Sequence, residues 1–480
     1  MNSIWNNNIK LFQKRFPQLF ELIKKDEEFY SKLAGTEKQD ELYSFWKITQ
    51  TKTNLPTAEE NGLKLHSAYN PLRESQSLIE SKKEELGKAE AIVFTGIGLG
   101  YTALECAKLY PEKQYLIVEP DIPHFLSALL LVDFSTLFNC NKLILALSCP
   151  PEQLITLINQ HSLENTVIFS VKAHETHAEA YFSNTHELIK RNLEKEKINK
   201  ATLKKFEKRW RTNCRKNAHF LKTLDGVDSL ENSFSGIPFL LIAAGPSLEQ
   251  ILPHLKEIKK RTKIVCVDTA LKAVLRAEIQ PDYIILTDPQ YWAYRHIAGL
   301  SSPESTLITE IAAYPAVFKF NCKKIILCDS QVPMAKEYGS IPKGNLGAGG
   351  SVASAAFNFC VLCGAKEIFV CGLDLSFPKN QTHIKGSTFE ENVHRTSFKN
   401  ETAETKSLPL LFNGNAVPAE NYNGETVLTD KKMKMFAWWF ESRIAELNQI
   451  KVYTLTPSGL KIPGITPFSA EKLLNFPILP

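Results

Sequence analysis

The chain has 480 residues, of which 44% are hydrophobic and 23% charged, and its formal net charge is +5. This composition is typical of a soluble globular protein of two to four domains. No apolar run reaches the roughly 18 residues of a membrane span, and the N-terminal segment lacks the apolar core of a signal peptide. Ten scattered cysteines indicate a reducing, cytoplasmic compartment, and the pair Cys360 and Cys363 indicates two buried thiols rather than a zinc site.

The first part of the chain is predicted to contain two different segments. Residues 1–85 are charged and predicted to be mostly helical, with a few short strands between Tyr43 and Leu63 and no evident chemistry. Residues 86–190 show apolar strands alternating with helices, which predicts a Rossmann-like domain. The strands of this domain are expected at 91–94, 115–118, 142–147 and 166–171.

The turn after the first of these strands is rich in glycine. Gly96, Gly98 and Gly100 are spaced G-x-G-x-G, which differs from the dinucleotide pattern G-x-G-x-x-G. Glu119 ends the next strand, 119 − 96 = 23 residues after Gly96, near the spacing at which an acid meets a nucleotide ribose. Two interpretations stay open: a site for S-adenosylmethionine, or glycines that only make the turn tight.

A basic helical connector is predicted over residues 191–230. Between Lys190 and Lys222 there are 13 lysines and arginines against three acids, so this stretch carries +10 and the rest of the chain −5. Its apolar residues recur every three or four positions, which predicts an amphipathic helix with a solvated basic face. A connector is favoured over a dock for an acidic protein or a nucleic-acid surface, because no recognised nucleic-acid-binding pattern accompanies it.

The central domain, residues 231–400, begins with the most informative stretch of the chain. Residues 237–296 predict three buried strands joined by helices, with strands at 239–243, 263–267 and 283–287. The second and third strands end on Asp268 and Asp288. Because ligands bind beyond the carboxyl ends of parallel strands, these two acids are predicted to lie at a binding edge of the sheet.

A glycine turn joins the first of these strands to its helix. In Gly245-Pro246-Ser247, Ser247 forms a capping-box pattern with Gln250, which predicts a helix from Leu248 to about Lys260. Gly245 lets the backbone approach an anion, and the free N–H groups of a helix N-terminus bind one. Asp268, 268 − 245 = 23 residues after Gly245, is placed to meet a ribose.

A second glycine-rich turn lies further along the same domain. It runs from Gly344 to Ser351 and opens a helix of small residues at 352–364, so Gly349, Gly350 and Ser351 offer a second anion site. The remaining strands are expected at 305–309, 324–328 and 367–371, and Asp374 and a polar loop with His383 follow the last of them. Two glycine turns and three strand-end aspartates together predict a nucleotide or nucleotide-sugar site.

Residues 401–480 are predicted as a C-terminal loop, helix and tail. The stretch 400–425 is polar and loop-like, Thr429-Asp430 is a helix cap, and the tail after 453 contains a strand. Taken together, the segments predict an α/β chain with two Rossmann-like parallel-sheet domains and helical segments at its N- and C-termini.

Several of these motifs resemble the motility accessory factor family, the bacterial flagellin glycosyltransferases. They are Ile242 to Leu248, Val267 to Ala270, Ile279 to Asp282, Asp288 to Gln290, Gly349 to Ala353, Gly372 to Leu375 and Thr382-His383, and in the N-terminal domain Gly96 to Tyr101 with Glu119 to Asp121. The resemblance covers roughly residues 90–465. The central domain also resembles 6-hydroxymethylpterin diphosphokinase and, more remotely, the bacterial sialyltransferases, which implies a sialyltransferase-like fold.

The resemblance implies a nucleotide-sugar-dependent transferase. It would move a nonulosonic acid, of pseudaminic or legionaminic type, from a CMP-activated donor to Ser or Thr hydroxyls of flagellin, supporting flagellar assembly and motility. No tightly bound cofactor, nucleic-acid partner or membrane span is expected, and the metal requirement is left open. The donor-binding residues are then expected to be Gly245, Pro246, Ser247, Asp268, Thr269, Asp288, Gly349, Gly350 and Ser351.

The catalytic residues are expected to be His383, Glu425 and Asp374. His383 is the hypothesised general base for the acceptor hydroxyl. In sialyltransferases the base is a histidine shortly before a Thr-Asp helix start, whereas here Glu425 precedes Thr429-Asp430, which makes Glu425 the substitute candidate.

Two alternatives remain on the sequence alone. The same turns would serve an ATP-dependent 6-hydroxymethylpterin diphosphokinase, with Mg²⁺ on acids such as Asp288 and Asp374. The chain could also be a non-catalytic flagellin-binding chaperone that retains a nucleotide-binding fold.

Overall fold

The computed structural model describes residues 3–25, 45–151, 153–154, 157, 165–339, 341–347, 349–412, 416–447 and 449–479, without the side chains of 195–200 and 410. The chain forms two compact units, Met1–Lys200 and Ala201–Pro480. The division falls within a single long helix, Glu179–Asn217.

Within its described residues, the N-terminal unit contains two sheets. The strands are β1 (Lys47–Gln50), β2 (Pro56–Glu60), β3 (Leu63–Lys64), β4 (Ala91–Thr95), β5 (Gln114–Glu119), β6 (Leu143–Leu147) and β7 (Thr166–Ser170). Strands β1–β3 form a small antiparallel sheet, and the other four form a parallel sheet in the order β6-β5-β4-β7. The helices are α1 (Ser3–Arg15), α2 (Pro17–Lys24), α3 (Pro71–Ser81), α4 (Lys83–Lys88), α5 (Tyr101–Leu109), α6 (Ile122–Leu131), α7 (Ser135–Phe138), α8 (Lys172–His177) and α9 (Glu179–Asn217).

The glycine turn after β4 is closed by side chains of the same unit. The Ile97 N–H donates to Glu119 (3.1 Å), and the Leu99 N–H donates to His66 (3.0 Å). Gly98 has φ +54°, and a Cβ there would lie 2.9 Å from the His66 ring. These contacts favour the second of the two interpretations, in which the glycines make a tight turn.

The C-terminal unit is built on one eight-stranded sheet in the order β12-β11-β10-β9-β8-β13-β16-β17, with every neighbouring pair parallel. Its strands are β8 (Phe239–Ile242), β9 (Lys263–Val267), β10 (Tyr283–Ile285), β11 (Ser301–Thr309), β12 (Asn321–Leu327), β13 (Glu367–Cys371), β14 (Val417–Glu420), β15 (Thr426–Thr429), β16 (Lys451–Thr454) and β17 (Ile465–Pro467). Strands β14 and β15 form a separate antiparallel hairpin.

The helices of this unit cover the sheet. They are α10 (Phe220–Thr223), α11 (Leu255–Lys259), α12 (Asp268–Arg276), α13 (Tyr291–Ile297), α14 (Val352–Leu362), α15 (Thr388–Thr396), α16 (Ala403–Phe412), α17 (Lys431–Glu446) and α18 (Ala470–Leu473). Strands β8 and β13 are buried almost throughout, as parallel strands covered on both faces must be. The predicted α/β fold with parallel sheets and helical segments at both ends is confirmed.

The predicted helix from Leu248 to Lys260 is wrong. The chain forms 3₁₀ turns at Pro246–Gln250 and Leu252–His254, and only Leu255–Lys259 is α-helical. Pro253 has no N–H to donate within an α-helix, and the Ser247 side chain bonds to Asp374 rather than capping the helix.

Two predictions about the C-terminal segment need correction. Residues 403–412 form a helix despite Pro409, although 400–425 was predicted to be a loop. The tail contributes two strands, β16 and β17, that extend the central sheet. The predicted cap is confirmed, since Asp430 accepts a hydrogen bond from the Met433 N–H (2.7 Å) at the start of α17.

In the part of the chain that the structure describes, no helix is both long and apolar enough to cross a membrane. All ten cysteines are free, and Cys360 and Cys363 are buried as predicted.

Candidate functional site

Three acids lie at the carboxyl ends of neighbouring strands. Asp268 follows β9, Asp288 lies just beyond β10, and Glu310 follows β11. Asp268 and Glu310 are buried, whereas Asp288 is partly exposed. The Gln290 N–H donates to Asp288 (2.7 Å) and fixes that carboxylate. The carboxyl edge of the sheet therefore carries a row of carboxyl groups, as the sequence predicted for Asp268 and Asp288.

A cavity of about 370 Å³ opens at this edge. Its lining includes both aspartates, Thr269, and the first residue of α14, Val352. Two aromatic side chains complete it: Trp292 is 51% exposed and Phe389 42% exposed. Exposed large aromatic rings around a cavity that also contains carboxyl groups are typical of a ligand site rather than of packing.

Burial raises the pKa values of two of the acids. The pKa of Asp268 rises to about 7, because its carboxyl is buried and lies near the charge of Asp288. The pKa of Glu310 rises to about 8, chiefly by burial. Such shifts concentrate at functional sites, because a carboxyl with a pKa near 7 exchanges protons at neutral pH.

The raised pKa of Glu310 predicts how stability changes with pH. The folded chain holds this proton up to about pH 8, whereas the unfolded chain releases it near the ordinary value of 4.5. The free energy of unfolding should therefore fall as pH rises between these values. Glu310→Gln, which cannot lose a proton, should be more stable than the unsubstituted protein at pH 8.5 by on the order of 1–3 kcal/mol, with a smaller difference at pH 5.

Urea unfolding at the two pH values would measure this difference. The control is Glu304→Gln, since the Glu304 side chain is 71% exposed and forms only a long ion pair with Lys259, at 3.9 Å. If Glu310→Gln and the unsubstituted protein showed the same pH dependence, the carboxyl would titrate normally in the folded state.

His383 lies behind the cavity wall rather than in it. Its ring packs on Phe389 (centroids 4.6 Å apart), and Phe389 in turn packs on His296 (4.9 Å). Burial lowers the pKa of both histidines to about 4, and His383 adds to the effect on His296. Both imidazoles are therefore neutral at pH 7. His296 lines the cavity, whereas His383 does not.

The turn at Gly245 is occupied by Asp374. The buried Asp374 carboxylate accepts hydrogen bonds from the Ser247 N–H (2.9 Å) and the Ser247 hydroxyl. Burial raises the pKa of Asp374 to about 6, and the bonds from Ser247 oppose this rise. Gly245, Pro246, Ser247 and Asp374 thus form a contact between β8 and β13, and none of them lines the cavity. The Ser247 N–H, which the sequence analysis assigned to a phosphate, donates its hydrogen bond to Asp374 instead.

The second glycine turn lies beside the cavity. Ser351 caps α14, accepting a hydrogen bond from the Ala353 N–H (3.3 Å), and the next residue, Val352, lines the cavity. Gly349 and Gly350 pass against α17, where a Cβ on Gly349 would lie 2.7 Å from the Trp439 ring. The N-terminus of α14 is therefore the helix end that the structure brings to the site.

Glu425 lies outside this arrangement. It is exposed in the turn between β14 and β15 and accepts a hydrogen bond from the Asn421 side chain (2.9 Å). It does not line the cavity.

The end of the basic helix holds two loops of the site. The Asn213 amide donates to the carbonyls of Pro289 and Ala312 (both 3.0 Å), and the Asn217 amide donates to those of Ile311 and Ala313 (2.8 and 2.9 Å). These loops carry Asp288 and Glu310. The helix predicted as a connector begins earlier than expected, at Glu179, and its last turns fix the positions of site loops.

Sequence reasoning missed Trp292, His296, Phe389 and Glu310. A weak signal was present for Trp292, which lies in the run Tyr291-Trp292-Ala293-Tyr294 directly after the Asp288 motif. Glu310 carried the same signal as Asp268 and Asp288, because it directly follows the predicted strand 305–309. His296 and Phe389 gave no such signal. A larger groove of about 540 Å³ lies between the Leu252–His254 turn and α12, but no strand-end acid lines it.

Comparison with known proteins places part of this chain in a family. Residues 212–380 match the family model described as 6-hydroxymethylpterin diphosphokinase MptE-like. This range contains the strand-end acids, both glycine turns and most of the cavity lining. Residues 212–380 form an MptE-like domain.

The fold of the chain is similar to a solved glycosyltransferase. The MAf glycosyltransferase from Magnetospirillum magneticum AMB-1 aligns over 100% of this chain and 76% of its own, with a TM-score of 0.63 and 14% identity. The resemblance to the motility accessory factor family with an MptE-like domain is thus confirmed in domain and fold.

Sequence relatives occur in Treponema pallidum, all described as uncharacterized proteins. One is 35% identical over 42% of this chain and 59% of its own length, and another is 30% identical over 43% of this chain and 70% of its own. A third is 26% identical, and the chain spans 54% of its length. The chain therefore spans little more than half the length of the relatives that are 35% and 26% identical to it.

Proposed function

We propose that this chain is a glycosyltransferase that moves a nonulosonic acid, of pseudaminic or legionaminic type, from a CMP-activated donor to Ser or Thr hydroxyls of flagellin. The observation that carries the proposal is the cavity, which combines two exposed aromatic rings, two strand-end carboxylates and a helix N-terminus. The fold shared with the MAf glycosyltransferase supports sugar transfer. The motif resemblance supports flagellin as the acceptor and the cytoplasm as the place of reaction.

The cavity offers a partner for each part of the donor nucleotide. The base stacks on Trp292 or Phe389, an interaction worth about 1–3 kcal/mol per base. Asp288, held in place by Gln290, accepts a hydrogen bond from a ribose hydroxyl. The N-terminus of α14 at Ser351 and Val352 stabilises the phosphate. The size of the cavity suits the nucleotide part of the donor.

Transfer breaks the bond from the anomeric carbon to the phosphate oxygen and forms one to the acceptor oxygen. CMP leaves with its negative charge, and the acceptor proton goes to a general base. Asp268 suits this role, because it lines the cavity and its pKa of about 7 lies near the operating pH. His383 is separated from the cavity by Phe389, so we assign it to positioning that ring. The scheme uses no tightly bound cofactor.

Mass spectrometry of flagellin tests the proposal directly. Flagellin is co-expressed with and without this chain in a host that supplies a CMP-nonulosonic acid, and its intact mass is measured. The expected result is an increment of one or more nonulosonic acids that requires the chain, and repeating the reaction with EDTA in vitro tests for a metal. An unchanged mass with flagellin still bound would instead support the chaperone.

Donor stacking gives a second expected result. Trp292→Ala should raise the KM for the donor by about 10-fold, the loss expected for one stacked base, with a smaller change in kcat. The matched control is its neighbour Tyr291→Ala, since Tyr291 is similarly exposed (47%) and does not line the cavity. Equal effects of the two substitutions would argue against stacking on Trp292.

A pterin diphosphokinase is the second candidate, because the family model that matches residues 212–380 carries that description. The same cavity would take the pterin against an aromatic ring, with Mg²⁺ on Asp268 and Asp288. Incubation with ATP, Mg²⁺ and 6-hydroxymethylpterin distinguishes the two, because only a diphosphokinase releases AMP. AMP release without modification of flagellin would transfer the assignment to this candidate.

A further inference from the structure

A cluster of histidines and carboxylates lies in the N-terminal unit, apart from the chemistry described above. Glu60 ends β2, His124 lies in the first turn of α6, and His177 ends α8. Glu60 Oε1 is 2.9 Å from His124 Nε2 and 3.1 Å from His177 Nδ1. The three ligand-type atoms lie within 4.8 Å of one another. Three elements that are distant in the sequence thus place one oxygen and two imidazole nitrogens around a common point.

A second carboxylate lies on the opposite side of both rings. Asp121 Oδ2 is 3.2 Å from His124 Nδ1 and 3.4 Å from His177 Nε2. Each imidazole therefore has Glu60 at one nitrogen and Asp121 at the other. In metal sites, the nitrogen that does not bind the metal donates its proton to a carboxylate, which fixes the ring orientation and tautomer. Asp121 is placed to do this for His177, with which it forms a hydrogen bond, and it lies within ion-pair distance of His124 Nδ1.

The neighbouring residues and burial hold the side chains of this cluster in place. The other Glu60 oxygen accepts a hydrogen bond from the Trp46 indole N–H (3.2 Å). The side chains of Glu60 and His124 are 3% and 2% exposed, whereas that of His177 is 35% exposed. Two ligands are therefore fixed in the interior, and the third leaves a path for an ion and for a water molecule at an open coordination position.

The cluster lies at a position in the parallel sheet where ligands commonly bind. Helix α6 follows β5 and helix α8 follows β7, and these strands flank β4 in the parallel sheet. Strand order reverses beside β4, so the cluster lies at the carboxyl edge of an open sheet near its switch point.

We propose that Glu60, His124 and His177 bind a divalent transition-metal ion, Zn²⁺ in first place, with Asp121 holding the two imidazoles in position. Zn²⁺ binds nitrogen and carboxylate ligands at about 2.0–2.2 Å, so adjacent ligands in a tetrahedral site lie roughly 3.3 Å apart. The observed separations of 2.9 and 3.1 Å need only a small outward shift of Glu60 to admit the ion. Three protein ligands leave a fourth position for water.

Cobalt titration of the full-length chain tests the proposal. After dialysis against EDTA and then metal-free buffer, Co²⁺ is added and its visible absorption recorded, and Zn²⁺ is then added as competitor. The expected result is one equivalent of tightly bound Co²⁺ with the strong absorption of a tetrahedral N/O site, abolished by Zn²⁺. His177→Ala should weaken binding at least 10-fold, and Asp121→Asn by about 10- to 100-fold.

The matched control is His186→Ala. The His186 side chain is 36% exposed and has its own carboxylate partner, Glu175, at 2.7 Å, but it is outside the cluster. Circular dichroism would confirm that each variant is folded, and His177, being partly exposed, is the substitution least disruptive to packing. The absence of saturable Co²⁺ and Zn²⁺ binding would overturn the proposal, as would equal binding by His177→Ala and His186→Ala. The cluster would then be a network of ion pairs only.

Discussion

Asp268→Asn is expected to slow glycosyl transfer by about 100-fold or more, the range that general-base catalysis contributes. Asparagine keeps the shape of the side chain but cannot accept the proton of the acceptor hydroxyl. With Asp268 present, the rate should rise with pH through about 7, because the pKa of the buried carboxyl is raised to that value and only its ionised form is a base. The variant should lack this step in its pH–rate profile.

Initial rates with a CMP-nonulosonic acid and unmodified flagellin, measured from pH 5.5 to 8.5, would check this result. Glu425→Gln is the control, since Glu425 is exposed in the β14–β15 turn and should leave the rate within about 2-fold. His383→Ala tests whether His383 takes part in proton transfer or only positions Phe389. If this variant lost as much rate as Asp268→Asn, and if both variants lacked the pH step, His383 and Asp268 would act together. A full rate in Asp268→Asn would exclude Asp268 as the base.

Gly245→Ala is expected to destabilise the C-terminal unit by about 2–3 kcal/mol or more, the cost of overpacking a buried contact. Its φ of −70° suits any residue, so the effect is steric alone. A Cβ there would lie 2.5 Å from the Gly372 carbonyl oxygen and closer still to the Asp374 carboxylate. Backbone on both sides must move, and the contact between the β8 and β13 turns would open.

Thermal and urea unfolding would measure the loss. Gly87→Ala is the control, because Gly87 lies in helix α4 and no atom of the described residues comes within 4 Å of a Cβ there. Alanine at this position should be neutral or slightly stabilising. An unchanged midpoint for Gly245→Ala would mean that the turn relaxes without cost.

The amino-acid sequence by itself determined the strands and the acids that end them. Runs such as Phe239–Ile242 and Glu367–Cys371 have nearly continuous apolar residues, which is typical of a parallel strand buried on both faces. Asp268 and Asp288 were predicted at the carboxyl edge for the same local reason: each directly follows such a run. The Asp430 helix cap could likewise be predicted from the sequence, because a cap is formed between residues only three positions apart.

Only the tertiary structure decided which of these groups meet. The pairing of β8 with β13 brings Asp374 to Ser247 across 127 positions of the chain, and this contact takes the N–H that a phosphate would need. The fold gathers Trp292 and Phe389 beside Asp268 in one cavity. It also buries Glu310 and His383 in the protein, so that their pKa values shift. Asn213 and Asn217 reach the site loops from a helix that the sequence assigned to a linker. The physical reason is that periodicity and capping act over a few residues, whereas strand order, cavity shape and desolvation depend on contacts between residues far apart in the chain.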